Sequence, residues 1–407
     1  MVPATVVPLE EFPQTPSGKI DRKRLPAPGA LAQTCPAKPS QAPRDDIERR
    51  LTVCWQEIMG GGAVGLQEDF FELGGHSLMA VRLITRVERE FGRRLPLSAL
   101  IQGPTIEKMA ELLRTRGSTP SFPVLIPLRA DGDGPPFFCI PGSGGNVLYL
   151  RELAQHLGGL QPIYGLQARG LDGQTPPPPR VEEMASHYVE AILSVQPKGP
   201  YLLGGHSFGG GVAFEVAYQL EQRGQPIALL AVFDNPAPFS SNDVLPCANW
   251  SDAQWTEGIA KLVERMFAVD MALPFTLLTN RSVEEQLELL LRRLQATGIL
   301  PAEAEVAQVR GFVQVFKANT LARYTPRGKI SAPVSLFRAE VFRREDVDGR
   351  MTEELNEDPA WGWGAHTRGP VTIHRVPGDH LTMLAAPHVN RLAYLLRSCL
   401  STHLGGP

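Results

Sequence analysis

Cysteine is scarce in this chain: five among 407 residues, at Cys35, Cys54, Cys139, Cys247 and Cys399, none in a CxxC pair. That spacing excludes a disulfide framework and suits a reducing compartment. Cys54 and Cys139 lie in apolar runs and read as small core residues. A basic excess is also missing, since the net charge is −3 and no segment is polybasic. Nucleic-acid binding through a charged face is thereby excluded. Apolar runs such as IALLAVF at 227–233 fall well short of the ~18–20 residues that cross a bilayer. MVPATVVPLEEF lacks the basic-then-apolar order of a signal peptide. No His or Cys spacing suggests a metal site, and the glycine pattern fits neither a P-loop nor a dinucleotide fingerprint. The expectation is a cytoplasmic protein with no metal, no membrane association and no nucleic-acid partner.

Glycine and proline, by contrast, are plentiful at 39 and 37 residues, and they punctuate the chain. A length of 407 residues suggests two or three domains at ~150 residues each. Pro-rich stretches at 25–44 and 114–123 mark the breaks. Between them the pattern is helical. Asp45 with Glu48 predicts a capping box, followed by Ile47, Leu51, Cys54, Trp55 and Ile58 on one helix face. A second helix runs from Ser77 to about Phe91, with Ala80, Leu83, Ile84 and Val87 on one side. A third follows Pro104 through Ile106, Met109, Ala110 and Leu113.

After residue 123 short apolar strands alternate with helices. PFFCI (136–140), PIYGL (162–166), PYLLGG (200–205), IALLAVFD (227–234), PVSLFRAE (333–340) and VTIHRV (371–376) are the candidates. This alternation predicts a mainly parallel sheet covered on both faces. Between Asp234 and Pro333 lies a long helical insertion, in which Ser282 and Glu285 predict a capping box and Gly298 a helix end. An insertion of that size is more often a lid or binding element than an inert loop.

Gly205-His206-Ser207-Phe208-Gly209 fits a G-x-S-x-G nucleophile elbow between a strand and an amphipathic helix (Val212, Ala213, Val216, Ala217, Leu220). The sharp turn brings backbones together, which requires small residues on either side of the serine. The helix start supplies N–H groups to a developing oxyanion. Ser207 is therefore the expected nucleophile. His380, after the strand VTIHRV and a Pro-Gly turn, is the expected base. His374 and His388 read as structural, and the side chain of His206 should leave the elbow in another direction. The acid is Asp234, ending IALLAVFD, or its rival Glu340, ending PVSLFRAE; either could hold the imidazole in the required tautomer. The oxyanion donors expected are the backbone N–H groups of Phe208 and Ser143.

The stretch EDFFELGGHSLMAVRLI (68–84) resembles the carrier domains of nonribosomal peptide synthetases. That resemblance implies that Ser77 carries 4′-phosphopantetheine, with LGGHSL as recognition signature; carriers of polyketide and fatty-acid systems usually read G-x-D-S-L. Independently, Ser77 opens a helix, where a phosphodiester is held favourably. PQTPSGKIDRKRLPAP (13–28) resembles the C-terminal end of an adenylation domain, with Lys19 at the position of its final, adenylate-contacting lysine. The rest of such a domain does not precede it here, so adenylation by this chain is not expected. With these neighbours, residues from about 123 onward resemble the releasing thioesterase of the same assembly systems.

The family implies a multidomain chain, a small four-helix carrier bundle followed by an α/β-hydrolase domain with a helical lid. Its expected boundaries are an adenylation remnant at 1–28, a linker at 29–43, the carrier at 44–116 and the thioesterase at 123–403, with the lid at about 240–325. It implies as partners the upstream condensation and adenylation modules, a phosphopantetheinyl transferase and a carrier-bound peptide. The resulting expectation is chain release from Ser77 through Ser207, by hydrolysis or macrocyclisation. A stand-alone esterase and a carrier with an inactive hydrolase are the two rival classes.

Overall fold

A computed structural model describes residues 13, 42–93, 95–115, 123–159, 161–238, 247–302, 304–342 and 357–403. Lys19, the segment 14–28 and most of the expected linker lie outside these residues. The first unit is helical: α1 (Asp46–Met59), α2 (Ser77–Phe91), the short α3 (Ala99–Gln102) and α4 (Ile106–Arg114). The α1 face predicted from spacing is buried at Leu51, Cys54 and Trp55, and meets Phe70 edge-on. α3 supplies the fourth helix of the expected bundle; hydrophobic spacing does not locate it, because four residues are too few to show a period.

The capping box at Asp45 is only half made. The Asp45 carboxylate accepts the Glu48 N–H at 2.9 Å. Glu48 itself turns to Arg44, whose N–H lies 2.8 Å away, and to the Arg114 guanidinium at 2.7 Å. A buried carboxylate needs cations more than it needs one N–H. Chiefly through Arg44, its pKa is held down at about 2, and the pairing ties α1 to α4.

The second unit is a seven-stranded sheet, formed by β1 (Leu125–Arg129), β2 (Phe137–Ile140), β3 (Ile163–Leu166), β4 (Tyr201–His206), β5 (Ile227–Phe233), β6 (Val334–Val341) and β7 (Val371–Asp379). Its order is β1-β3-β2-β4-β5-β6-β7. Only β1 runs antiparallel, against β3; its iBiBi burial marks an edge strand with one wet face. It was missing from the expected strands, since LIPLR carries a proline that argues against strand. β7 is longer than VTIHRV and continues through Pro377 and Gly378 to Asp379.

Around the sheet lie α5 (Leu150–Leu157), α6 (Val181–Val195), α7 (Phe208–Gln222) and, beyond the lid, α12 (Val389–His403). α6 and α7 bury their apolar sides with Phe138 and Leu203, whereas α5 and α12 pack with Phe137 and Leu202. The insertion between β5 and β6 forms α8 (Asp252–Phe267), α9 (Phe275–Leu278), α10 (Val283–Ala296) and α11 (Val306–Leu321). These helices share a core of their own, including Ile259, Leu287 and Leu290. The predicted box is complete, with Ser282 and Glu285 capping each other's backbone N–H.

The helical unit is docked on the seven-stranded unit. Arg151 of α5 lies over the Phe71 ring at 3.6 Å, with Asp69 beside its guanidinium. Arg82 of α2 donates to the Gly298 carbonyl at 3.2 Å, and Gln308 of α11 donates to Glu88 at 3.0 Å. The helix opened by Ser77 therefore lies against the insertion between β5 and β6.

Candidate active site

β4 and β5 pair in parallel with His206 opposite Phe233, so each strand delivers its next residue, Ser207 and Asp234, to the same sheet edge. Both residues sit in the left-handed region, at φ 52 and φ 50. Such conformations cost non-glycine residues ~1–3 kcal/mol each and concentrate at functional sites. The elbow is held closed by packing. A Cβ on Gly205 would lie 2.1 Å from the Gly209 carbonyl oxygen, so no side chain fits where β4 turns into α7.

His380 follows β7 directly. Its Nδ1 lies 2.9 Å from Asp234 Oδ2, and both residues are buried. The other carboxylate oxygen, Oδ1, accepts the Ala339 N–H at 2.7 Å. A carboxylate only accepts, so Nδ1 carries the proton and Nε2 is left as a base. Glu340, the rival acid, is exposed on β6, and the Nδ1 it would have to reach is taken by Asp234. The exposure of Glu340 at the solvent end of β6 decided this, not its sequence position.

The loop after β2 crosses over the elbow: a Cβ on Gly142 would be 3.3 Å from Ser207 Cβ. The Gly142 N–H is spent on the Tyr149 hydroxyl at 2.8 Å. The Ser143 carbonyl accepts from Asn319 Nδ2 of α11 at 2.8 Å. Phe208 opens α7, so the two expected oxyanion donors come from the loop and the helix that flank Ser207. Tyr149 and Asn319 escaped the sequence reading, because neither belongs to a motif and only folding brings them near the elbow. The side chain of His206 ends against His380, with ring centroids 4.8 Å apart.

At the other unit, Ser77 is the first residue of α2. The preceding loop is locked by Gly75 N–H to Phe70 carbonyl (2.9 Å) and Phe71 N–H to the Asp69 carboxylate (2.7 Å). His76 makes no side-chain cap and the first turn carries no acidic residue, so a phosphodiester on this helix start meets N–H groups and no like charge from that turn. The residues present fit a phosphopantetheine ester.

Two cavities adjoin the docked units. One, of about 340 Å³, lies between α2 and the lid and is walled by Val81, Ile84, Ile259, Val263, Leu290 and Phe312. Phe312 also lies against the loop after β2, its ring 3.2 Å from where a Gly144 Cβ would be. The second, about 550 Å³, runs from Met266 past Tyr149 and Glu152 to Leu381 and Thr382, beside His380. Among the described residues no helix is long and apolar enough to cross a membrane.

Comparison with known proteins identifies both units. The thioesterase domain model matches residues 135–398, and that of the phosphopantetheine attachment site matches residues 49–113. The chain belongs to the thioesterase domain family. It carries a phosphopantetheine attachment domain ahead of the hydrolase fold. Chondramide synthase cmdD of Chondromyces crocatus is 31% identical over 408 residues, covering 98% of this chain and 10% of that protein. A dimodular nonribosomal peptide synthase of Bacillus subtilis is 42% identical over 234 residues, 58% of this chain and 10% of that one. Among solved structures, holo-AB3403, a four-domain nonribosomal peptide synthetase bound to AMP and glycine, is similar with a TM-score of 0.61 and 30% identity. The match covers 96% of this chain and 28% of that one. The thioesterase chain thus spans about a tenth of the length of these first two relatives.

Proposed function

We propose that this thioesterase releases a finished acyl chain from its own carrier in nonribosomal peptide synthesis. The observation that carries the reading is the buried Asp234–His380 pair beside the Ser207 elbow, in a chain whose carrier helix is docked on the lid. A phosphopantetheinyl transferase loads Ser77, and upstream condensation and adenylation modules deliver the peptide. When bound, the 4′-phosphopantetheine supplies a thiol on a long flexible tether.

In acyl transfer, Ser207 Oγ attacks the thioester carbonyl carbon and gives its proton to His380 Nε2. Asp234 holds the Nδ1–H and stabilises the imidazolium that results. The Ser143 and Phe208 N–H groups receive the oxyanion; the Gly142 N–H, already bonded to Tyr149, leaves Ser143 as the donor of its loop. His380 then returns the proton to the departing sulfur, and an acyl ester remains on Ser207. Water, or an amine or hydroxyl of the acyl chain, attacks that ester with His380 again as base. The 340 Å³ cavity takes apolar parts of the acyl chain, being within the ~300–1,000 Å³ of ligand pockets and lined mainly by aliphatic side chains.

The test separates the two serines. Ser207→Ala takes up the prosthetic group and an acyl group but retains the acylated carrier. Ser77→Ala gains no mass on incubation with coenzyme A and a transferase, yet still hydrolyses a small soluble thioester at the wild-type kcat/KM, slowly in both because neither tethers that substrate. Discharge of the Ser207→Ala carrier at the wild-type rate, followed by intact mass, refutes the reading.

A further inference from the structure

The sequence places His206 inside the elbow motif, and the fold sets its ring against that of His380, centroids 4.8 Å apart. His206 is 6% exposed and sits in a chain of three hydrogen bonds. Its Nε2 lies 3.0 Å from the His380 carbonyl oxygen, and its Nδ1 lies 3.1 Å from the Tyr149 hydroxyl. That hydroxyl accepts the Gly142 N–H at 2.8 Å. The directions are determined. A carbonyl can only accept, so Nε2 bears the proton; Nδ1 of a neutral ring then accepts, so the Tyr149 O–H donates to it. Burial keeps the ring neutral, with a pKa lowered to about 3.

The chain therefore runs Gly142 N–H to Tyr149 Oη, Tyr149 O–H to His206 Nδ1, and His206 Nε2–H to the His380 carbonyl. Its two ends are the oxyanion loop and the backbone of the base. We infer that His206 and Tyr149 are positioning residues that set the oxyanion loop and the His380 backbone as one unit. This rests on the assignment of Ser207, His380 and Asp234 as the reacting constellation. With the Gly142 N–H consumed, the next amide, that of Ser143, is left as the donor of this loop. Bonding the His380 carbonyl fixes the residue whose Nδ1 is already fixed by Asp234. Preorganised donors act only when held at the geometry of the transition state, and hydrogen bonds in a buried chain act cooperatively.

The experiment uses the full chain and a short-acyl N-acetylcysteamine thioester, with Tyr149→Phe, His206→Gln and the double variant. Tyr149→Phe keeps the ring and removes the bridging hydroxyl. It lowers kcat on the order of 10-fold with KM nearly unchanged, a loss confined to the transition state. His206→Gln donates to the His380 carbonyl from a similar position but breaks the link to Tyr149, and it falls comparably. The double variant is no worse than about twofold below the poorer single variant, because both break one unit. A wild-type kcat in Tyr149→Phe, or single losses that multiply in the double variant, overturns the inference. If His206→Gln does not fold, the kcat and KM of Tyr149→Phe decide alone. Ser207→Ala, run alongside, is inactive whichever way this falls; turnover by that variant would instead refute the hydrolase assignment itself.

Discussion

Replacing Asp234 by Asn tests the site at one atom. The carboxylate has two fixed partners, the Ala339 N–H at Oδ1 and the His380 Nδ1–H at Oδ2. An Asn amide can be set in two ways. With its nitrogen toward Ala339 it would put two N–H donors face to face in a buried site, a cost of ~1–3 kcal/mol for the unsatisfied group. The oxygen therefore stays on Ala339 and the amide nitrogen faces His380. Nδ1 must then accept, the ring proton moves to Nε2, and the base no longer has a lone pair for the Ser207 proton. Neutralising a triad aspartate in serine proteases lowers kcat by ~10⁴, or about 5.4 kcal/mol at 1.36 kcal/mol per tenfold. We expect a loss of that order in the rate of acyl-enzyme formation, with KM little changed and the fold intact. Single-turnover acylation of Ser207 followed by intact mass measures it. A loss under tenfold in Asp234→Asn, or a crippling Glu340→Gln, refutes the argument.

Two further outcomes follow from packing and from titration. Gly205→Ala pushes a methyl group into the Gly209 backbone at the elbow, a 2.1 Å contact that side-chain movement cannot relieve. It lowers stability by more than the ~1–3 kcal/mol of ordinary overpacking, read as a fall in the melting temperature together with lost fluorophosphonate labelling. His206 has a folded pKa of about 3 against an ordinary 6.5, so between those values the unfolded chain binds a proton that the folded one does not. Its contribution makes stability fall as pH drops through 6.5 toward 3, by at most ~1.4 kcal/mol per pH unit, and no further below 3. His206→Gln flattens that part of a denaturation-versus-pH series; an unchanged slope contradicts a buried neutral ring.

Much of the site was legible because its parts are local in the chain. The elbow is five consecutive residues whose glycines answer to a backbone contact, and Ser207 needs only a strand before it and a helix after it. The start of α2 at Ser77 was equally plain, from the 3.6-residue spacing of Ala80, Leu83, Ile84 and Val87. Strand ends located Asp234 and His380 at one edge, because parallel strands that alternate with helices all finish on the same side.

What local pattern could not rank was Asp234 against Glu340. Both end strands, and only the β5–β6–β7 register and the outward turn of Glu340 separate them. β1 was lost because an edge strand with a proline has almost no period to read. Glu48 left its capping box because two cations compete for the same carboxylate, Arg44 just before the helix and Arg114, 66 residues further along the chain. Tyr149, Asn319 and the direction of the His206 ring were likewise decided by the tertiary structure. Each acts through one hydrogen bond to a backbone group distant in sequence, and a bond of that kind leaves no periodicity, composition or spacing behind it.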